Sequence, residues 1–313
     1  MGDDTAWPAL PYAELKDTCE TLQLFSQIVG KVRLAKTPWL NHSWHVPLYV
    51  TARGLTSSLI PSDGGGFDLE FDFVQSVLRL RTVGGEEATV ALFPRSVASF
   101  HADVMAALAR AGIEVAIDGT PSELPDPIPF ADDTAPRRYD PEVARRFWRA
   151  LASIDAVLKH FRTGFLGKAS PTHLFWGSFD LAVTRFSGRR APPHPGGVPH
   201  LPDAVAREAY SHEVSSAGFW PGNDAVPYPA FYAYAYPEPA GFRQAPVQPA
   251  QTRYDATLGE FILPYEAVRA SADPVATLLA FLSSTYEAAA NAAHWDRAAL
   301  ECDLGEPGVP RPV

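Results

Sequence analysis

The sequence predicts an α+β protein built on antiparallel sheets. Three observations carry the prediction. Helical spacing of apolar residues and period-two alternation occupy separate blocks of the chain. The strand-like runs follow one another through short glycine turns such as Gly84-Gly85, as in antiparallel meanders. The order helix, four strands, helix occurs twice. The chain therefore reads as internally duplicated, two halves with helices covering one face of each sheet.

The first half spans residues 1–117. Residues 13–36 space Leu15, Cys19, Leu22, Phe25, Ile28, Val29 and Val32 by threes and fours, which predicts a helix ending before Pro38. Four strands are expected next: His42–Arg53, Phe67–Val74, Val77–Thr82 and Ala88–Phe93. A helix over Ser96–Ala111 closes at Gly112. Residues 118–140 are proline-rich and acidic, a linker. The second half, 141–293, begins with a helix over Pro141–Phe165, with Pro141 suited to the first turn. Strands are expected at His173–Phe186, Ala209–Ala217, Ala230–Tyr236 and Leu258–Leu263. A helix over Pro274–Ala293 and a tail, 294–313, follow. His42 and His173 each open the first strand of their half, and Arg53 and Arg185 lie near its end.

Composition narrows the function classes. The 313 residues are 46% hydrophobic and 20% charged, which suits a folded chain with a large core and not a disordered one. The net charge of −10 argues against nucleic acid or an anionic membrane as main partner. No apolar run approaches the roughly 18 residues of a membrane span. The first seventeen residues lack the basic and apolar regions of a signal peptide. Cys19 and Cys302 are too few for a disulfide framework. The expectation is a soluble, cytoplasmic protein. Of 26 cations only 5 are Lys, the bias of a GC-rich genome, so abundant Arg is no sign of anion sites by itself.

Strand alternation locates the candidate site. In His173–Phe186, one face carries His173, Phe175, Phe179, Leu181, Val183 and Arg185. The other carries Trp176, Ser178, Asp180 and Thr184. Asp180 interrupts an apolar run, so its carboxylate must be paired, hydrogen-bonded or functional. Tyr232, Tyr234 and Tyr236 add an aromatic wall, and an aromatic wall with a few polar groups suits a ligand pocket. Asp180 with His212 or His45 would suit acid–base work. Arg185 and Arg189 would hold an anionic group. The same arginines could instead pair with Asp180, Glu208 or Glu213. In the first half, Asp68, Glu70, Asp72, Arg79 and Arg81 suggest a solvated face.

His42 and His45 are three apart and point to opposite faces of a strand, so both could bind one ion only if the segment were a turn or a helical start. A set drawn from His45 or His42 with His173, His212 and Glu213 has ligand types that suit zinc or iron. No spacing demands it, and no metal ligand is assigned. Ser187–Gly197, with two arginines and a histidine on a proline-rich stretch, is a candidate anion-binding loop. No nucleophile elbow, P-loop or dinucleotide fingerprint occurs.

Several runs resemble an uncharacterised bacterial family known only as a domain of unknown function. They are Trp7–Tyr12, Gln27–Leu34, Trp44–Gly54, Phe175–Arg189 and Tyr210–Glu213, spread over nearly the whole chain. The resemblance implies a stand-alone cytosolic protein and no particular activity, cofactor or catalytic residue. The leading expectation is a small-molecule enzyme. In it Asp180, His212 and His45 move protons, Arg185 and Arg189 hold an anionic group, and Trp176, Ser178, Tyr232 and Tyr234 line the site. A non-catalytic ligand-binding protein and a protein-interaction module are the rival expectations. The sequence assigns neither a cofactor nor a subunit count.

Overall fold

The computed structural model describes residues 6–311. Helix α1 (Tyr12–Lys36) is followed by a single 3₁₀ turn at Asn41–Ser43. A five-stranded antiparallel sheet comes next, in chain order: β1 (Tyr49–Val50), β2 (Gly54–Thr56), β3 (Phe67–Asp72), β4 (Val77–Thr82) and β5 (Glu87–Ala91). Helices α2 (Val97–Arg110) and α3 (Pro141–Thr163) follow. The remainder is β6 (His173–Phe175), β7 (Asp180–Arg190), α4 (Asp203–Ala209), β8 (His212–Trp220), β9 (Ala230–Tyr236), β10 (Arg253–Asp255), β11 (Glu260–Pro264), α5 (Tyr265–Arg269), α6 (Pro274–Ala292) and α7 (Arg297–Leu300). Its six strands form a second antiparallel sheet in the order β10-β11-β9-β8-β7-β6.

Local chemistry sets the helix starts. Ser96 caps α2 by accepting from Ser99 N–H at 3.1 Å. Asp140 accepts from the N–H groups of Glu142 and Val143, with Pro141 in the first turn. Asp273 caps α6 in the same way. The halves are joined by a backbone bridge, Leu48 to Leu174, with N–H···O distances of 2.9 and 2.8 Å. One continuous core draws on both. Phe25 of α1 stacks on Phe100 of α2 at 3.9 Å, and Phe147 of α3 packs on Phe179 and Phe219. The proline-rich 118–140 segment is packed down, with Phe130 fully buried.

Four local expectations need correction. His42–Arg53 is not one strand. Pro47 cannot donate to a ladder. In addition, Glu208 accepts from His42 N–H at 2.7 Å and draws His42 and Ser43 into left-handed backbone, φ 59° and 56°. Only Tyr49–Val50 remains extended. The run His173–Phe186 is likewise a hairpin, turned over Trp176–Phe179 by Phe179 at φ 62°. That turn shifts the side-chain parity. Paired His173 and Ala182, and Phe175 and Asp180, share a face, whereas Arg185 lies on the other. The strand expected over Ala209–Ala217 begins only at His212 because α4 runs through Ala209, and the stretch Ser187–Arg190 extends β7 instead of opening a loop.

The polar face of the first sheet is solvated only at its arginines, not at its carboxylates Glu70 and Asp72. Asp72 has no exposed surface, and Glu70 is 5% exposed. Arg53 Nε donates to Asp72 at 2.7 Å and Arg79 at 3.3 Å. Arg81 donates to Asp68 and Glu70 at 2.6 and 2.8 Å. Register makes this possible, since Asp68 faces Arg81 and Glu70 faces Arg79 across the ladder.

Candidate functional site

The inner face of the second sheet opens on a cavity of about 430 Å³. Asp180, Ala182, Thr184 and Phe186 of β7 form its floor with Val214 and Ser216 of β8 and Tyr232 and Tyr234 of β9. Its walls come from the 39–46 segment, the 118–123 segment and the stretch around α4. The volume falls within the range of small-molecule sites.

Two glutamines of α1 assemble the walls. Buried Gln27 donates to Ser122 carbonyl at 3.0 Å and accepts from Ser122 N–H at 2.7 Å. Gln23 donates to Gly177 carbonyl at 2.6 Å. Trp176 is fixed by its indole N–H, which donates to Val46 carbonyl at 3.0 Å. A β-carbon at Gly30 would overlap that indole, so glycine inside α1 is what lets Trp176 lie flat against the helix.

Asp180 is buried and accepts hydrogen bonds from Ser178 Oγ and Tyr232 OH. Burial pushes its carboxyl up, and those two donors pull it partly back. Glu123 sits beside it in left-handed backbone, φ 62°, with its carboxylate against Gly177. Among the described residues no donor or cation reaches the Glu123 side chain. Burial, reinforced by the charge of Asp180, raises Glu123 to about 7. Glu260 shares this sheet face with Tyr232 and is raised to about 7 for the same reasons. Among the described residues Lys31 is the one Lys or Arg that lines the cavity; its Nζ lies 3.4 Å from Asp118, and burial shifts it downward. Burial raises Tyr232 and Tyr234, and raises Tyr210 to about 12, so all three stay phenols. The Tyr210 and Tyr234 hydroxyls lie 2.9 Å apart.

The structure brings Asp180, Trp176, Ser178, Tyr232 and Tyr234 to one cavity, Trp176 and Ser178 through the turn and not by strand alternation, and separates the rest. Arg185 points to the opposite sheet face. Its guanidinium lies 3.5 Å from the Phe161 ring centroid and 4.4 Å from that of Tyr286, and it donates to Phe161 carbonyl. Arg189 pairs with Glu213 at 2.6 Å and donates to Ala293 carbonyl. Neither arginine can hold an anion in this cavity. His45 is buried behind the wall, its Nδ1 within 3.3 Å of the Leu40 backbone. His212 stands at the end of β8, beyond the cavity residues, with its ring 6.1 Å from that of His42. His173 is sealed in the core with both ring nitrogens unpartnered, and burial lowers it to about 3. Among the described residues no three His, Cys, Asp or Glu side chains converge as a metal site.

Sequence reasoning missed Glu123 and Lys31, and weighed His42 only as a metal ligand. His42 lines the mouth, with its Nδ1 3.0 Å from Ala209 carbonyl and its Nε2 2.6 Å from Lys168 Nζ. Glu123, Gly177 and Ser178 also border a second cavity of about 660 Å³, walled by α1 and residues 220–223. A larger, open groove of about 780 Å³ is formed by the C-terminal tail, Arg297–Arg311.

A family model described as a family of unknown function, DUF5996, matches residues 7–302. The chain belongs to that family. No curated protein and no solved structure matches it. No helix among the described residues is long and apolar enough to cross a membrane.

Proposed function

We propose that this chain is an enzyme that carries out acid–base chemistry on a small molecule seated in the 430 Å³ cavity. The observation that supports it is the pair Glu123 and Asp180. Both carboxylates border one aromatic cavity, and their environments differ. Asp180 is fixed by two hydroxyl donors and serves as the standing negative charge. Glu123, without partners and raised to about 7, gains and loses a proton near neutrality, as a general acid–base must. Trp176, Tyr232 and Tyr234 position the apolar body of the substrate. His212 and His45 take no part in this arrangement. The reading includes a cytoplasmic location, in keeping with two free cysteines. It also takes the recurrence of a long helix before and after each sheet as an ancestral duplication.

The test incubates the protein with pooled metabolites in D2O and follows consumption or deuterium uptake by NMR. Wild type should transform at least one component, and Glu123→Gln and Asp180→Asn should not. A component that binds but is left unchanged by wild type would favour a binding protein instead.

A further inference from the structure

The charges around the cavity are lopsided. Asp118, Glu123 and Asp180 line it against two ammonium groups, Lys31, already engaged by Asp118 at 3.4 Å, and Lys168, held at the edge 2.6 Å from His42 Nε2. Asp180 and Glu123 are left without a counter-ion among the described residues, and the arginines that could have neutralised them are committed elsewhere. The rings are also disposed toward cations. Lys168 Nζ lies 5.1 Å from the Trp44 ring centroid and 5.0 Å from that of Phe186, both cavity walls. Lys31 Nζ lies 6.0 Å from the Trp176 ring. Two of the protein's own ammonium groups thus already rest against the aromatic lining, as a ligand cation would.

We propose that the ligand of this cavity carries a positively charged nitrogen, a primary or substituted ammonium, seated between the Asp180 and Glu123 carboxylates and the face of Trp176. The inference rests on the reading of the cavity as a ligand site and adds the chemical class. The ammonium supplies the counter-charge that the fold withholds, and the indole, pinned by Val46 carbonyl and Gly30, offers it a fixed π face. Buried carboxylates with no cation are costly to keep. A cationic ligand removes that cost on binding, whereas an anionic one would add to it.

The experiment is calorimetric titration of the full chain at pH 8 with three probes sharing one phenyl body: 2-phenylethylammonium, 2-phenylethanol and phenylacetate. The ammonium should bind at least about tenfold more tightly than the alcohol, the size expected of a desolvated cation–π contact joined to a carboxylate. Glu123→Gln and Asp180→Asn should each erase about tenfold of its affinity while leaving the circular dichroism spectrum unchanged. If Asp180→Asn does not fold, Glu123→Gln and Tyr232→Phe carry the comparison. Equal binding of ammonium and alcohol would overturn the cationic class and leave the cavity a ligand site. Preference for phenylacetate would overturn it too, with Lys31 as the anchor. Binding by none of the three would overturn both the class and the ligand site itself.

Discussion

The two sheets both bury carboxylates, and they surround them differently. On the first sheet Asp72 receives Arg53, Arg79 and the N–H groups of Val74 and Gln75, and Glu70 receives Arg81 and the Thr51 hydroxyl. Burial pulls Asp72 up, but those donors outweigh it and hold its carboxyl below the usual value. On the second sheet Asp180 receives two hydroxyls and its own backbone N–H but, among the described residues, no cation, and burial leaves it raised, with Glu123 and Glu260 raised beside it. A carboxylate matched by cross-strand arginines belongs to the scaffold. One left without a cation, where arginines are plentiful, is kept against the interest of stability, which is the mark of a working site.

Mutations can break or sharpen that contrast. The largest effect is expected at Asp72→Asn. It removes the acceptor of two arginine donors and should cost about 3 kcal/mol, seen as a lower urea midpoint, because two charge-assisted hydrogen bonds to a buried carboxylate are lost. Glu123→Gln should act in the other direction. A carboxyl whose folded pKa is about 7 binds more protons folded than unfolded, so native stability falls as pH rises from about 4.5 to 7. The glutamine variant should therefore be more stable than wild type by about 2 kcal/mol at pH 8 and equal to it near pH 4. Equal stability at both pH values would show that Glu123 is well solvated.

His173 offers a control away from the cavity. Its folded pKa of about 3 lies below the unfolded value, so the unfolded chain takes up protons first and stability is lost as pH falls below about 6.5. His173→Phe removes two unpartnered ring nitrogens and should raise the unfolding free energy more at pH 5 than at pH 8, by about 2 kcal/mol. The smallest effect is expected at Arg189→Ala. Its ion pair with Glu213 is half-exposed, worth less than about 1 kcal/mol, and ligand binding should be unchanged.

Much of this was legible in the sequence, and the limits have physical causes. Period-three and period-two spacing located α1, α3 and α6 and the strands at 77–82 and 230–236 because packing there agrees with local preference. Asp180 stood out as a charge in an apolar run and Tyr232 and Tyr234 as an aromatic wall, whereas Trp176 and Ser178 reach the cavity from a turn that strand alternation did not foresee. Arg185 and Arg189 were misread because anion binding was inferred from residue type, while their partners, aromatic rings on α3 and α6 and a neighbouring glutamate, are set by tertiary contact. Glu123 was invisible because its segment has no periodicity. Its position depends on Gln27 gripping Ser122 from 95 residues away. Gly30 inside an otherwise regular helix was an available signal, marking where another group presses on α1.

The most direct test of the contrast is urea unfolding at pH 8 of Asp180→Asn beside Asp72→Asn. Loss of stability in Asp72→Asn, with Asp180→Asn equal to or above wild type, is the predicted result. An equal loss in both would mean that Asp180 is a structural carboxylate like Asp72, and that the second sheet holds no charge in reserve for a ligand.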